Sequence, residues 1–210
     1  MEPVNPMLAC FRRYECDKGD KHGYHEIYEP HFEPIKDKEL NILEIGVYKG
    51  ASLLAWRDYF SKANFYGIDL FVRESKREIQ EKLDDPRIKL MRGDSTTAVI
   101  APLIYQEWPN IKFDIIIDDG LHTPKANMNT FNNLIPFLKE GGQYFIEDIW
   151  PLDIMNEEQM GHYWVQRHPD RYNTLDHEMF LAALDRTNKK VERFDRRKKA
   201  CPDSYIMRIS

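Results

Sequence analysis

What constrains this chain most is a repeated unit: a short apolar run that ends in a turn, followed by a helix-length segment. Residues 41–46 (NILEIG) open the series and read as a buried strand. A helix over 51–59 follows, with Leu53, Leu54 and Trp56 supplying an apolar stripe. The rhythm continues as a strand at 65–70 (FYGIDL), a charged helix at 75–83, a strand at 88–91 and a helix at 97–106. Residues 113–118 (FDIIID) are the most strand-like segment present. Thr123 then caps a helix that starts at Pro124 and runs towards Leu138. Gly141-Gly142 reads as its end, and 143–147 as a fifth strand. Such alternation predicts an α/β fold: a parallel sheet covered by helices on both faces. The last segments break the rhythm. Residues 191–196 and 204–209 read as two further strands joined by a loop holding Pro202, with no helix between them.

At 210 residues with no repeat or linker, one domain with a substantial core is expected. Residues 41–210 form its body, and residues 1–40 a leader rich in aromatic and ionisable side chains, among them Tyr14, Lys18, His22, Tyr24, His25, Tyr28 and Phe32. This leader is expected to pack across one end of the sheet, over the active site. His22-x-x-His25 has the spacing of a helical metal pair, but no third ligand of the right type is near in sequence, so packing is the preferred reading. A formal charge of −5 gives no reason to expect nucleic acid as a partner. The basic run at 193–199 (RFDRRKK) is read as a solvated hairpin. Three cysteines without a CxxC pair argue against a disulfide framework and a structural zinc site. No signal segment or membrane-length apolar run is present, so no membrane partner and a cytoplasmic location are expected.

The first chemical motif is Glu44-x-Gly46-x-x-x-Gly50, at a strand-to-helix turn. In open parallel sheets ligands bind beyond the carboxyl ends of the strands, and glycine lets the backbone approach them. A dinucleotide fingerprint would need glycine at 48 and 51, where the chain has Tyr48 and Ala51. The middle glycine is what admits a pyrophosphate, so NAD and FAD are disfavoured. S-adenosylmethionine carries no phosphate and tolerates the change. Asp69, at the end of the second strand, can accept from both ribose hydroxyls, and Gly93-Asp94-Ser95 can meet an adenine edge. Either acid alone could be a helix cap.

The most informative feature is Asp118-Asp119-Gly120-Leu121-His122 after one strand and Glu147-Asp148 after the next. If those strands are neighbours, four carboxylates share one region. Unit charges about 4 Å apart repel by roughly 4 kcal/mol per pair at an effective dielectric near 20. The region must therefore take up a proton, a basic side chain or a metal ion. Hard oxygen ligands suit magnesium, manganese or calcium rather than zinc or copper. Turn chemistry accounts for Asp118-Asp119 but leaves Glu147-Asp148 unexplained. A lone histidine is usually structural, yet His122 sits beside these acids at a helix start, where a neutral imidazole can take a proton from a hydroxyl.

The segments LEIGVYKGAS, IDDGLH and FIEDI, with Asp17-Lys18-Gly19, His22-x-Tyr24 and Tyr28 in the leader, resemble the metal-dependent sugar O-methyltransferases of antibiotic biosynthesis, the macrocin and mycinamicin type. The resemblance covers most of residues 14–150 and the final strand. It implies a Rossmann-like class I methyltransferase fold, mostly parallel and seven-stranded, ending in an antiparallel hairpin. It implies that Asp119, Glu147 and Asp148 hold Mg2+ or Mn2+ and that His122 is the general base. It places S-adenosylmethionine against Glu44, Gly46, Gly50, Ser52, Asp69, Asp94, Ser95 and Asp118, with Lys18 reaching towards its methionine carboxylate. Macrolide-modifying relatives often carry an additional N-terminal domain, for which this sequence leaves no room, so their oligomer contacts and large acceptors do not transfer automatically.

The expected acceptor is a small molecule with a hydroxyl, on a sugar by the resemblance, and its choice is assigned to the stretch 150–172 with Trp150, Tyr163, Trp164, His168 and Tyr172. Aromatics at such spacing are core at least as often. A catechol-type O-methyltransferase and a non-catalytic, cofactor-binding member of the same fold stay open as alternatives, as does a homo-oligomer.

Overall fold

The computed structural model describes residues 5–155, 157–197 and 201–210. Two short helices, α1 (Pro6–Arg13) and α2 (His25–Phe32), precede the first strand, β1 (Asn41–Ile45). Then come α3 (Ala51–Tyr59), β2 (Asn64–Asp69), α4 (Lys76–Leu83), β3 (Ile88–Arg92), α5 (Ile100–Glu107), β4 (Phe113–Asp118), α6 (Pro124–Leu134) and β5 (Leu138–Ile146). After β5 lie α7 (Glu157–Met160), α8 (Tyr163–Arg167), α9 (Thr174–Asp185), β6 (Val191–Asp195) and β7 (Tyr205–Ile209). None of the described helices is long and apolar enough to cross a membrane.

The strands form one sheet in the order β3-β2-β1-β4-β5-β7-β6. The first five are mutually parallel, and β7 runs antiparallel to both β5 and β6, as the broken rhythm at the end of the sequence predicts. Side chains alternate across the sheet with period two. Ile42, Phe65, Ile115, Ile117 and Phe145 face one layer, made by α1 to α4. Leu43, Ile45, Ile68, Ile116 and Ile146 face the other, made by α5, α6 and α9. The leader is anchored in the first layer by aromatic contacts. Trp56 of α3 is fully buried and meets Phe11 at 4.9 Å, Tyr28 at 5.3 Å and Phe32 at 5.9 Å between ring centroids. Such pairs add about 0.5–1.5 kcal/mol each beyond the area they bury.

Three details differ from the sequence reading. The helix after Thr123 stops at Leu134, not near Leu138, and a short 3-10 turn over Ile135–Phe137 follows. Pro136 is the cause: it has no N–H to continue the ladder. Gly141-Gly142 therefore lie inside β5, where the register with β4 shifts between Phe113 and Ile115 and Gly141 takes a φ of 70°. His22 precedes α2 instead of sharing it with His25, so the two do not form a helical pair. The basic run is largely spent on acids: Arg193 pairs with Asp153 at 2.9 Å, Arg196 with Glu26 and Arg197 with Asp195 at 2.7 Å. Lys198 and Lys199 lie outside the described residues.

Candidate active site

The chain lays down β1, β2 and β3 in one direction and then crosses back to place β4 on the other side of β1, which opens a crevice at the carboxyl edge of the sheet. Backbone bonds carry the ladder past the strands into the loops that line it. Gly46 N–H donates to Ile68 O at 3.0 Å, Asp119 N–H to Ile45 O at 3.0 Å, and Glu147 N–H to Asp118 O at 2.9 Å. The crevice has a volume of about 700 Å³, with Lys18, Ser52, Asp119, His122 and Asp148 among its lining residues. A second hollow of about 240 Å³, with Asp94 and Ser95 in its wall, shares Gly46, Asp69 and Gly120 with it. Four non-glycine residues at this edge, Tyr48, Phe71, His122 and Asp148, have φ between 45° and 50°. Left-handed backbone at such residues costs of order 1 kcal/mol each and concentrates at functional sites.

Gly46 is required by the fold itself. Its φ is 86°, and a Cβ there would lie 2.0 Å from the carbonyl oxygen of Asp119. Gly50 answers to packing first, since a Cβ would meet Leu83 at 2.8 Å. Both glycines serve the close approach of loops that shapes the crevice.

At one end Glu44, Asp119, Glu147 and Asp148 converge, and Lys18 meets the first three of them. Its ammonium is 2.7 Å from Glu147 Oε2, 3.6 Å from Glu44 Oε1, and hydrogen-bonded to Asp119 Oδ2. Burial opposes its charge, but Asp119, Glu147 and Glu44 together outweigh burial and keep it an ammonium. Tyr28 donates its hydroxyl to Glu147 Oε1, and Tyr24 donates to Asp148 Oδ1 at 2.5 Å. His122 Nε2 is 3.0 Å from Asp119 Oδ1, and its Nδ1 is 4.0 Å from Asp148 Oδ2. Burial works against the imidazolium, yet the bond to Asp119 and the nearby acids push His122 up to about 9. Glu44, fully buried and accepting from Ser52 Oγ at 2.9 Å, is pushed up by burial to about 7. Burial also lifts Asp118 to about 7 and raises Asp148.

The residues present fit a hard divalent cation. Asp119, His122 and Asp148 offer ligand atoms within 4.8 Å of one another, and Glu147 joins Asp119 through Lys18. Asp118 Oδ2 is buried without a hydrogen-bond partner. With all carboxylates ionised, Glu44, Asp118, Asp119, Glu147 and Asp148 exceed the charge of Lys18 and His122, and the donors are oxygens.

The other end is held by bonds to backbone N–H groups and hydroxyls. Asp69 accepts from Tyr48 N–H at 3.0 Å and Phe71 N–H at 2.6 Å. Asp94 Oδ1 accepts from the Thr96 N–H at 2.9 Å and hydroxyl at 2.6 Å, while Ser95 Oγ lies 2.9 Å from Thr130 Oγ1. Ile45, Ile68, Leu70, Val72 and Leu121 give this hollow an apolar lining.

The structure also assigns contacts that the spacing did not. Tyr24 and Tyr28 reach the acids directly; the available signal was two tyrosines four apart, which puts both hydroxyls on one helical side. Of the two roles the sequence leaves open for the aromatics of 150–172, Trp150 takes core packing. Trp150 is buried against His162 at 4.9 Å and Tyr172 at 5.9 Å, and none of the described ones lines the crevice or its hollows. The side chain of Trp164 lies outside the described residues. From that stretch Asp170 and Arg171 instead line a neighbouring hollow of about 420 Å³, together with Leu121 and Lys125.

A family model described as "Methyltransferase domain" matches residues 43–149. The chain is 33% identical to the 8-demethyl-8-(2-methoxy-alpha-L-rhamnosyl)-tetracenomycin-C 3'-O-methyltransferase of Streptomyces olivaceus, over 66% of this chain and 35% of that protein. It is also 33% identical to the mycinamicin VI 2''-O-methyltransferase of Micromonospora griseorubida, over 66% of this chain and 34% of that protein. Among solved structures it superposes on the MycE methyltransferase of the mycinamycin pathway in complex with Mg, SAH and mycinamycin VI, with a TM-score of 0.67 at 25% identity, covering 98% of this chain and 54% of that one. The chain thus spans about a third of the length of the curated relatives it matches. The shared topology is the Rossmann-like, mostly parallel seven-stranded sheet.

Proposed function

This chain belongs to the methyltransferase-domain family, and from that premise we propose that it is an S-adenosylmethionine- and Mg2+-dependent O-methyltransferase acting on a hydroxyl of a sugar or glycosylated small molecule. The observation that carries the reading is the meeting of Asp119, Glu147, Asp148 and His122 at the edge where Asp69 and Asp94 also emerge. The relatives named above are sugar O-methyltransferases, and the superposed MycE contains Mg and SAH.

Asp119, Glu147 and Asp148 would hold the metal, with Tyr28 and Tyr24 fixing the orientation of the last two. When bound, S-adenosylmethionine supplies an electrophilic methyl group and Mg2+ a Lewis acid that lowers the pKa of an acceptor hydroxyl. Asp69 would accept from the ribose hydroxyls, its own orientation locked by two backbone N–H groups. Asp94 and Ser95 would meet the adenine between apolar walls, Gly46 and Ser52 would shape the rest of the bed, and Asp118, buried beneath it, would act on the cofactor only through its neighbours. His122 Nε2 is tied to Asp119 Oδ1, and its ring accepts the proton from the acceptor hydroxyl. The charges that lift its pKa are those of Asp119 and Asp148, so engaging them elsewhere returns the imidazole towards the neutral form a base requires. Alignment of acceptor and methyl donor accounts for much of the acceleration.

The test is calorimetric titration with S-adenosylmethionine, with and without Mg2+, followed by methyl transfer to a panel of glycosides and catechols. Transfer to a sugar hydroxyl that ceases on chelation is expected. Cofactor binding with transfer only to catechols removes the sugar assignment, and no binding of the cofactor removes the reading altogether.

A further inference from the structure

A second group of potential ligands lies where the leader meets the loop between β6 and β7. Ligand atoms of His22, Cys201 and Asp203 lie within 4.8 Å of one another. His22 is 1% exposed, and its Nε2 has no hydrogen-bond partner, the nearest carboxylate being Asp17 Oδ2 at 3.7 Å. Asp203 Oδ1 is likewise buried and unpartnered. A buried polar atom without a partner is costly to a fold. Here an orphan nitrogen and an orphan oxygen belong to one cluster with a thiol.

We propose that His22, Cys201 and Asp203 form a second metal site, for a zinc-like divalent cation, distinct from the acid cluster. The donor set selects the class of ion. Magnesium takes oxygen ligands almost alone, whereas a nitrogen, a thiolate and a carboxylate suit zinc or cobalt. Tetrahedral zinc with bonds of about 2.0–2.3 Å sets its ligand atoms about 3.3–3.8 Å apart, so the side chains close in by about 1.5 Å at most. Asp17 or water completes the shell.

The surroundings already orient these ligands. Ser204, fully buried, places its hydroxyl 2.8 Å from His22 Nδ1 and accepts from the Cys201 N–H at 2.9 Å. One hydroxyl thus fixes both the imidazole and the thiol-bearing turn, as the outer shell of a metal site does. Lys21, 3.3 Å from Asp17 and half exposed, is the cation now serving these acids and can swing into solvent. Binding deprotonates Cys201, and the proton leaves to solvent. The metal would staple the leader to the terminal hairpin. Arg196 already makes that connection by pairing with Glu26 and packing its guanidinium over Gly23, where a Cβ would come within 2.5 Å. His22 Nδ1 is also 3.5 Å from Asp148 Oδ1, so the staple ends beside the acid cluster.

The experiment is a Co2+ titration of the full chain in saturating Mg2+, which keeps the acid cluster occupied, followed by competition with Zn2+. One equivalent of Co2+ with a thiolate-to-cobalt charge-transfer band, bleached by Zn2+, is expected. Cys201→Ser abolishes the band and weakens Co2+ binding at least 10-fold. Ser204→Ala keeps the band and weakens binding about 10-fold, the low end of what an outer-shell partner contributes. Asp203→Asn weakens binding as well, and carries the test if a His22 variant does not fold. A wild type without the band, or a Cys201→Ser protein that retains it through Cys10 or Cys16, overturns the proposal. Neither result bears on methyl transfer.

Discussion

At one end of the crevice, Glu44, Glu147 and Asp148 are buried, and Asp119 half-buried, against two cationic side chains, Lys18 and His122. At the other, Asp69 and Asp94 sit half-buried at the rim and are satisfied by backbone N–H groups, all of their own turns except that of Tyr48 in the loop after β1. The acid end is closed over large distances in the chain: Lys18 and Glu147 are 129 residues apart, whereas Asp94 and Thr96 are 2 apart. The first end is therefore a tertiary construction of buried charges that depend on one another energetically, whereas the second is held by neutral donors, most of them backbone N–H groups of the turns that carry the acids. Disturbing the first should cost stability and chemistry together. Disturbing the second should cost affinity, and no more stability than one ordinary hydrogen bond.

The largest expected effect is at His122. Replacing it by Ala should lower methyl transfer by about 10²–10⁴-fold, the usual contribution of a general base, with S-adenosylmethionine affinity nearly unchanged. Single-turnover transfer beside calorimetry checks this, and unchanged turnover removes the base assignment. Lys18→Met comes next. Lys18 is 1% exposed and faces three carboxylates, so its loss leaves buried charge uncompensated and should destabilise the chelated protein by about 3–5 kcal/mol. Denaturant melts should find part of that loss restored by Mg2+. An unaltered melt would show that the acid end is not coupled as described. Asp69→Asn is the counterpart at the other end. It should leave the melt within about 0.5 kcal/mol and weaken cofactor binding by roughly 10–100-fold, the worth of a hydrogen bond to a charged group.

That contrast also governs how much could be read from the sequence. The strand-helix rhythm, the terminal hairpin and the strand-end positions of Asp69, Asp94, Asp118 and Glu147 are local patterns, and the structure has them where periodicity and turn chemistry put them. The need for a counter-charge at the acids was legible as electrostatics, but not its source. Nothing in the spacing of Lys18, Tyr24 and Tyr28 says that the leader turns these side chains onto Asp119, Asp148 and Glu147, because that depends on aromatic packing against Trp56 and Phe145. The end of α6 was misread for a smaller reason: Gly141-Gly142 resembles a helix stop, but Pro136 acts first.

The pH dependence of the chelated protein should separate the two ends further. Glu44 titrates near 7 in the fold against 4.5 when free, so the folded state holds its proton between those values and stability falls as pH rises through them. His122 titrates near 9 against 6.5, so its contribution is complete below 6.5 and is lost as pH rises to about 9. Both act in the same direction, and chelated protein should unfold more easily with every step from pH 5 to 9. Asp118, lifted by burial to about 7, adds to the slope in the same direction, so a Glu44→Gln, His122→Gln double variant should reduce the slope without removing it, and Asp69→Asn should leave it intact. A flat wild-type profile would mean that neither side chain is held as the structure has it.

The smallest effect sharpens the comparison most. Tyr24→Phe removes a hydroxyl that donates to Asp148 and also accepts from the Asp148 N–H at 3.3 Å. Ser95→Ala removes one that meets only Thr130 among the described residues. Each should cost about 1 kcal/mol of stability, the net worth of an ordinary hydrogen bond. They should part company in Mg2+ dependence. Without Tyr24 the Asp148 carboxylate loses the bond that orients it, so the Mg2+ concentration for half-maximal transfer should rise about 10-fold, as outer-shell losses do. Without Ser95 that concentration should stay as in the wild type. Equal Mg2+ requirements in the two variants would mean that the leader packs against the acids without tuning them, and the distinction between the two ends would reduce to burial.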